Sequence, residues 1–246
     1  MDLGLEGKVA LVTGGGRDVG RAIALALAGD GALVAVNYFH SKESAEAVVA
    51  EIAKRGGRAV ACRADVTDRA GTAAMIDRLV ADHGRLDILV NNAGYVQRQR
   101  FTETTPEDWK KQIDVGLYGV IHCCHAALPH MARQNFGRII NLMGDSARVG
   151  ESGLAVTAAS RGGVLALTKS LAKELGRNWI TVNALALGLI ETSHTDPAWF
   201  AANREKILRN YPLRRLGKPE DVAPAVAFLA SEGASWITGQ IGRAHV

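Results

Sequence analysis

Near the amino end, Thr13 to Gly20 reads TGGGRDVG. The stretch follows an apolar run, Val9 to Val12, and leads into helical periodicity over Arg21 to Leu27. In that context glycines let the backbone turn tightly and approach a pyrophosphate, which then rests on the amino end of the next helix. The chemistry to expect is nucleotide binding, with Gly14, Gly16 and Arg17 at the phosphates. Charge indicates which nucleotide. An acid at the end of the second strand would bond a ribose 2′-hydroxyl and repel a 2′-phosphate. That position lies near Asn37, which is neutral. Arg17, with Ser41 and Lys42 nearby, offers charge-assisted bonds to a phosphate. We therefore expect NADP(H) rather than NAD(H).

These residues need a scaffold. Apolar runs at Val9 to Val12, Leu33 to Val36, Ala59 to Cys62, Ile88 to Val90, Arg138 to Leu142 and Thr181 to Leu185 read as strands. Helical periodicity falls between them, over Arg21 to Leu27, Glu43 to Lys54, Thr72 to Asp82, Val115 to Leu128, Gly163 to Leu175 and, last, Asp221 to Leu229. Continuous apolar strands alternating with helices predict a parallel sheet covered on both faces. Strict alternation predicts a doubly wound α/β fold. No linker or repeat interrupts it, so residues 1–246 read as a single domain. The polar stretch Glu191 to Tyr211, with Trp199 and Phe200, reads as a lid over the crevice or a plain surface excursion.

The chain has 246 residues, 48% hydrophobic and 22% charged, enough for one full core. No run of 18 apolar residues is present, so no membrane span is expected. The start, Met1 to Gly7, lacks a secretory pattern, so a cytoplasmic location is expected. Three cysteines, Cys62, Cys123 and Cys124, lack the spacing of a zinc site or a disulfide framework, so no metal is expected. The net charge of +4 is scattered rather than clustered, which argues against nucleic acid as partner.

Several motifs in order carry a resemblance to the short-chain dehydrogenase/reductase family. Thr13, Gly14 and Gly20 match its glycine pattern, and Asn91-Asn92-Ala93-Gly94 matches its N-N-A-G. Asp65-Val66 is similar to its adenine contact, and Val182 to Thr192 to the stretch beside the nicotinamide. The resemblance spans Lys8 to Gly239. It implies a Rossmann-like sheet, oxidoreductase chemistry on a small-molecule substrate, and a homodimer or homotetramer. It adds Val19, Asp65, Val66, Asn92, Ala93, Gly94, Arg161, Gly188, Ile190 and Thr192 to the cofactor contacts.

The chain departs from the family where protons move. The resemblance implies an asparagine, a serine, a tyrosine acid and, four residues after the tyrosine, a lysine. Counting from Ser160-Arg161-Gly162-Gly163, Thr157 holds the tyrosine position and Arg161 that of the lysine. Gly144 holds the serine position and Gly116 that of the asparagine. A threonine hydroxyl is far too weak an acid to replace a phenol. Arginine stays protonated and relays nothing. Ser146, Asp145 and Tyr118 are nearby substitutes, so Thr157, Arg161 and Ser146 are the residues to place first. Asp18 stands where the second motif glycine belongs, with Arg17 or Arg21 to neutralise it, and Leu187 replaces a proline before Gly188. The last six residues, IGRAHV, are what a common sequencing-adapter DNA would encode, so residues 241–246 are expected to be a non-native tail.

Three readings follow. One is an NADP(H)-dependent carbonyl reductase or alcohol dehydrogenase with a degenerate site and weak or atypical activity. Another is a nucleotide-binding homologue or subunit without turnover. The third is a non-redox, lyase-type enzyme on this scaffold.

Overall fold

The computed structural model describes residues 3–193, 195–209 and 211–244, with the side chains of Trp199 and Ala244 set aside. His245 and Val246 of the expected tail lie outside the described residues. In chain order the strands are Val9–Val12 (β1), Leu33–Tyr38 (β2), Arg58–Arg63 (β3), Ile88–Asn91 (β4), Gly137–Gly144 (β5), Ile180–Leu187 (β6) and Ile241–Ala244 (β7). The helices are Asp18–Gly29 (α1), Lys42–Lys54 (α2), Arg69–His83 (α3), Pro106–Ile113 (α4), Gly119–Gln134 (α5), Ser146–Val149 (α6), Ala155–Leu175 (α7), Pro197–Leu208 (α8) and Pro219–Ala230 (α9).

The strands form one parallel sheet in the order β3-β2-β1-β4-β5-β6-β7. Both faces are covered. Ile23 and Leu27 of α1, Val48 and Ile52 of α2, and Val222 and Val226 of α9 pack on one. Ile76 and Leu79 of α3, Ala127 and Met131 of α5, and Val164 and Ala172 of α7 pack on the other. That is why the central strands read as unbroken apolar runs. The single-domain, doubly wound Rossmann-like α/β fold expected from the sequence is the fold observed.

Connections leave β1 toward β2 on one side and β4 on the other. The order reverses between β1 and β4, the point where sheets of this kind form their binding crevice, beyond the carboxyl ends of the strands. Every site residue named above from the strand-end loops lies along this one edge.

Three elements differ from the sequence reading. The helix expected to begin at Val115 is preceded by α4, whose start is a capping box of Thr105 and Asp108 with a proline at the first turn. Between α4 and α5 the chain makes a π-helical turn, Asp114–Tyr118. α7 begins at Ala155 rather than near Gly163, because the glycines lie inside it. A β-carbon at Gly163 would stand 2.9 Å from Leu117, so glycine lets α7 approach the π turn closely. Finally, the polar excursion contains α8. Among the described residues no helix is long and apolar enough to cross a membrane. Nor does any group of three or more His, Cys, Asp or Glu among them stand ready to hold a metal.

Candidate active site

The loops after β1 and β4 are joined by two side chains, Thr13 of the first and Asn92 of the second. The Thr13 hydroxyl accepts from the backbone N–H of Asn92 and of Ala93, both at 3.0 Å. Asn92 Nδ2 returns to the carbonyls of Thr13 at 2.9 Å and Gly14 at 3.1 Å. The β1 and β4 loops are thus one rigid unit. Gly14 has φ +60°, and a β-carbon on Gly20 would overlap the Gly14 carbonyl. Only glycine at these two places lets α1 rise directly from the loop. The loop is thereby packed close behind the amino end of α1, the place where a dinucleotide pyrophosphate would rest.

The other expected cofactor residues divide. Gly16 packs toward the first turn of α2, where a β-carbon on it would stand 3.2 Å from the Ala45 nitrogen. Ser41 stands exposed just before that helix. Asp65 closes an Asx turn on Thr67, and the Val66 carbonyl meets His122 Nδ1 at 3.0 Å. Val19 and Val66 are buried. Ile190 bridges to Gly217, and the N–H of Thr192 donates to Thr195 Oγ1 at 2.9 Å. Asn37, expected beside the ribose, is turned inward at 2% exposure. Its Oδ1 accepts from Gly14 N at 3.3 Å, and its Nδ2 donates to carbonyls of β3 and the loop after it, including Ala64 at 3.1 Å. Asn37 therefore ties the glycine loop to β3 rather than presenting its amide to the crevice.

Charges around the loop are arranged by their partners. Asp18 adopts φ 47°, the left-handed region that the motif glycine would have occupied. Arg21 is engaged by Glu51, in a fork at 2.6–3.1 Å that holds the Glu51 carboxyl below its ordinary range. Arg21 therefore leaves Asp18 to Arg17, whose Nε is 3.9 Å away. The Arg17 side chain is otherwise exposed at the crevice rim.

At the positions to which the resemblance assigns proton transfer, the expected residues come together and their polar atoms turn inward. Arg161 is enclosed, its Nη1 donating to the carbonyls of Leu142 at 3.3 Å and Gly116 at 3.5 Å. A β-carbon on Gly94 would overlap its guanidinium. Burial pushes Arg161 down to about 10, so it is still a cation at neutral pH. The Thr157 hydroxyl donates to Oε1 of Gln112 at 2.5 Å, and the Ser160 hydroxyl to the Gln112 carbonyl at 3.3 Å. The sequence reading missed Gln112, a buried polar residue one turn before Gly116.

The substitutes also separate. Ser146 is buried, and a β-carbon on Gly144 would lie 3.3 Å from its hydroxyl. Asp145 is held in a fork by Arg243 of β7 at 2.7 and 3.1 Å. Tyr118 is half exposed and stacks on His122. A phenol not anticipated, Tyr211, accepts from Leu189 N at 2.7 Å. Burial first, then the nearby Glu151 and Asp145 carboxylates, push its titration up.

Residues 15–243 match the family model described as enoyl-(acyl carrier protein) reductase. The chain is 47% identical over 233 residues to the 3-oxoacyl-[acyl-carrier-protein] reductase FabG of Staphylococcus aureus, covering 95% of this chain and 94% of that one. It is 43% identical over 237 residues to the 3-oxoacyl-[acyl-carrier-protein] reductase of Synechocystis sp., covering 96% and 94%. The solved structure of a dehydrogenase/reductase from Sinorhizobium meliloti 1021 superposes with a TM-score of 0.91 at 37% identity, over 98% of this chain and 95% of that one. Shared sequence over nearly the whole length and a shared fold agree. The chain therefore belongs to the short-chain dehydrogenase/reductase family and, within it, resembles the 3-oxoacyl-[acyl-carrier-protein] reductases.

Proposed function

We propose that the protein is an NADP(H)-binding oxidoreductase of the carbonyl reductase and alcohol dehydrogenase type, with a degenerate proton-transfer site and slow turnover. The observation that carries this reading is a contrast within one crevice. The Thr13, Gly14, Gly20 and Asn92 weave that receives a dinucleotide is complete, whereas Thr157 and Arg161 direct their polar atoms to Gln112, Gly116 and Leu142. Bound cofactor would supply or accept the hydride. Gly14 and Gly20 leave room for the pyrophosphate, and Arg17 meets a 2′-phosphate. The Ser146 hydroxyl, beside the Gly144 position, orients a substrate carbonyl. Losing a general acid costs about a hundred- to ten-thousand-fold in rate.

Relatives named for 3-oxoacyl-[acyl-carrier-protein] substrates make a 3-oxoacyl thioester the first carbonyl compound to test. The inward bonds of Thr157 and Arg161 equally favour a second reading, a nucleotide-binding subunit without turnover. NADPH fluorescence titration followed by turnover on a carbonyl panel separates them. Binding with slow turnover supports the first reading, binding without turnover the second, and no binding rejects both.

For assembly we propose a homodimer or homotetramer, with α5 and α7 contributing half-buried Ala126, Leu128 and Leu167 at the contact. A monomer by light scattering at micromolar concentration would count against it. A cytoplasmic location and freedom from nucleic acid and membrane belong to the same proposal.

A further inference from the structure

Asp18 reaches 175 positions along the chain to Ser193. Its Oδ1 accepts from the Ser193 backbone N–H at 2.8 Å and its Oδ2 from the Ser193 hydroxyl at 2.9 Å. In the sheet, β1 and β6 are separated by β4 and β5. A chain that leaves β6 and touches the loop after β1 must cross the carboxyl ends of both intervening strands. The near end of that crossing is fixed as well. Leu189 N donates to Tyr211 Oη at 2.7 Å, Glu191 N donates to the Gly217 carbonyl at 2.8 Å, and Ile190 pairs with Gly217. The span from Leu189 to Ser193 is thus pinned at both ends over the mouth of the crevice.

Asp18 is also the first residue of α1, where the helix dipole and free N–H groups favour one negative charge. A pyrophosphate would bring a second. Arg21 is held by Glu51, so Arg17, its Nε 3.9 Å from the carboxylate, is left to face both negative charges.

We infer that Asp18 and Ser193 form a clasp that closes the crevice in the free protein, and that the pyrophosphate of an arriving dinucleotide opens it by displacing the carboxylate. The displacement half rests on the nucleotide-binding reading above; the clasp itself does not. Cofactor association then scales with the fraction of molecules in which the clasp is open.

Two measurements test it. Hydrogen exchange of the peptide carrying Ser193, in ligand-free protein, should quicken in Asp18→Gly. Stopped-flow NADPH association should quicken about two- to tenfold in Ser193→Ala, the worth of one hydrogen bond, with the loop charge unchanged. Asp18→Asn keeps an acceptor for Ser193 but removes the charge, so it should also bind NADPH faster while exchange changes less than in Asp18→Gly. Unchanged exchange in Asp18→Gly overturns the clasp. Wild-type association rates in folded Ser193→Ala overturn the displacement. No NADPH binding by any of the proteins overturns the nucleotide-binding reading and the displacement with it, and the exchange contrast still decides the clasp.

Discussion

The Thr157 hydroxyl lies 2.5 Å from Oε1 of Gln112, and both residues are buried, at 4% and 2% exposure. Each satisfies a polar group the other would leave stranded. Thr157→Val or Gln112→Leu alone should therefore cost about 1–3 kcal/mol by urea unfolding, and the pair together much less than the sum. A second expectation concerns turnover. If Thr157 donates no proton to substrate, Thr157→Val leaves the residual rate unchanged. Additive stabilities would show that the bond contributes nothing.

Restoring the family's residues is a harsher test. Asn at Gly116, Ser at Gly144, Tyr at Thr157 and Lys at Arg161 should together raise turnover by about a hundred- to ten-thousand-fold, and singly do little. The structure adds a condition. A β-carbon at Gly116 would stand 2.5 Å from the Ser160 hydroxyl, which must rotate away from the Gln112 carbonyl. Adding Ser160→Ala should improve the fourfold variant further. Steady-state kinetics giving the wild type roughly 10 turnovers per second would reject the degenerate site. Tyr211→Phe would then be the first place to seek the acid.

The proposed NADP(H) reading assigns cofactor selectivity to Arg17, exposed beside Asp18. Arg17→Ala should weaken NADPH by about 1.5–3 kcal/mol, the worth of a charged hydrogen bond, and NADH far less. Calorimetry decides it, and equal affinities of the wild type for the two cofactors would remove the premise.

The thiols give a pH-based expectation. Burial pushes Cys62 and Cys124 up to about 12, and Cys123 moves the same way for the same reason. The charged thiolate is the form disfavoured, so its fraction at pH 8 falls well below that of an unfolded chain. Iodoacetamide at pH 8 should spare the buried Cys123 and Cys124 of the native protein and alkylate all three cysteines in guanidinium. Mass spectrometry showing rapid native labelling of these two would contradict the burial.

Much of the fold can be read from the chain because buried parallel strands leave continuous apolar runs and the loop after β1 has its own composition. The family resemblance, counted along the chain, locates Thr157 and Arg161. What they touch is not legible. Gln112 lies 45 residues before Thr157, and nothing local announces that a carboxamide will turn toward α7. Asn37 misleads for the opposite reason. Its type suits a ribose contact, but the parallel pairing of β2 with β3 offers its amide three carbonyls to satisfy. The start of α7 is obscured because Gly162 and Gly163 suggest a break, whereas close approach to Leu117 selects glycine inside a helix.

The π turn at Asp114–Tyr118 amounts to a one-residue insertion in an otherwise continuous helix from Pro106 to Gln134. One extra residue steps the helix phase by about 100°. Gln112 can thereby face α7 while Cys123, Cys124 and Ala127, further on, face the sheet core. Deleting Gly116 would put the two halves back in phase and rotate one of those faces into solvent. The segment is thus a gear with one added tooth, and its length tolerates substitution far better than subtraction.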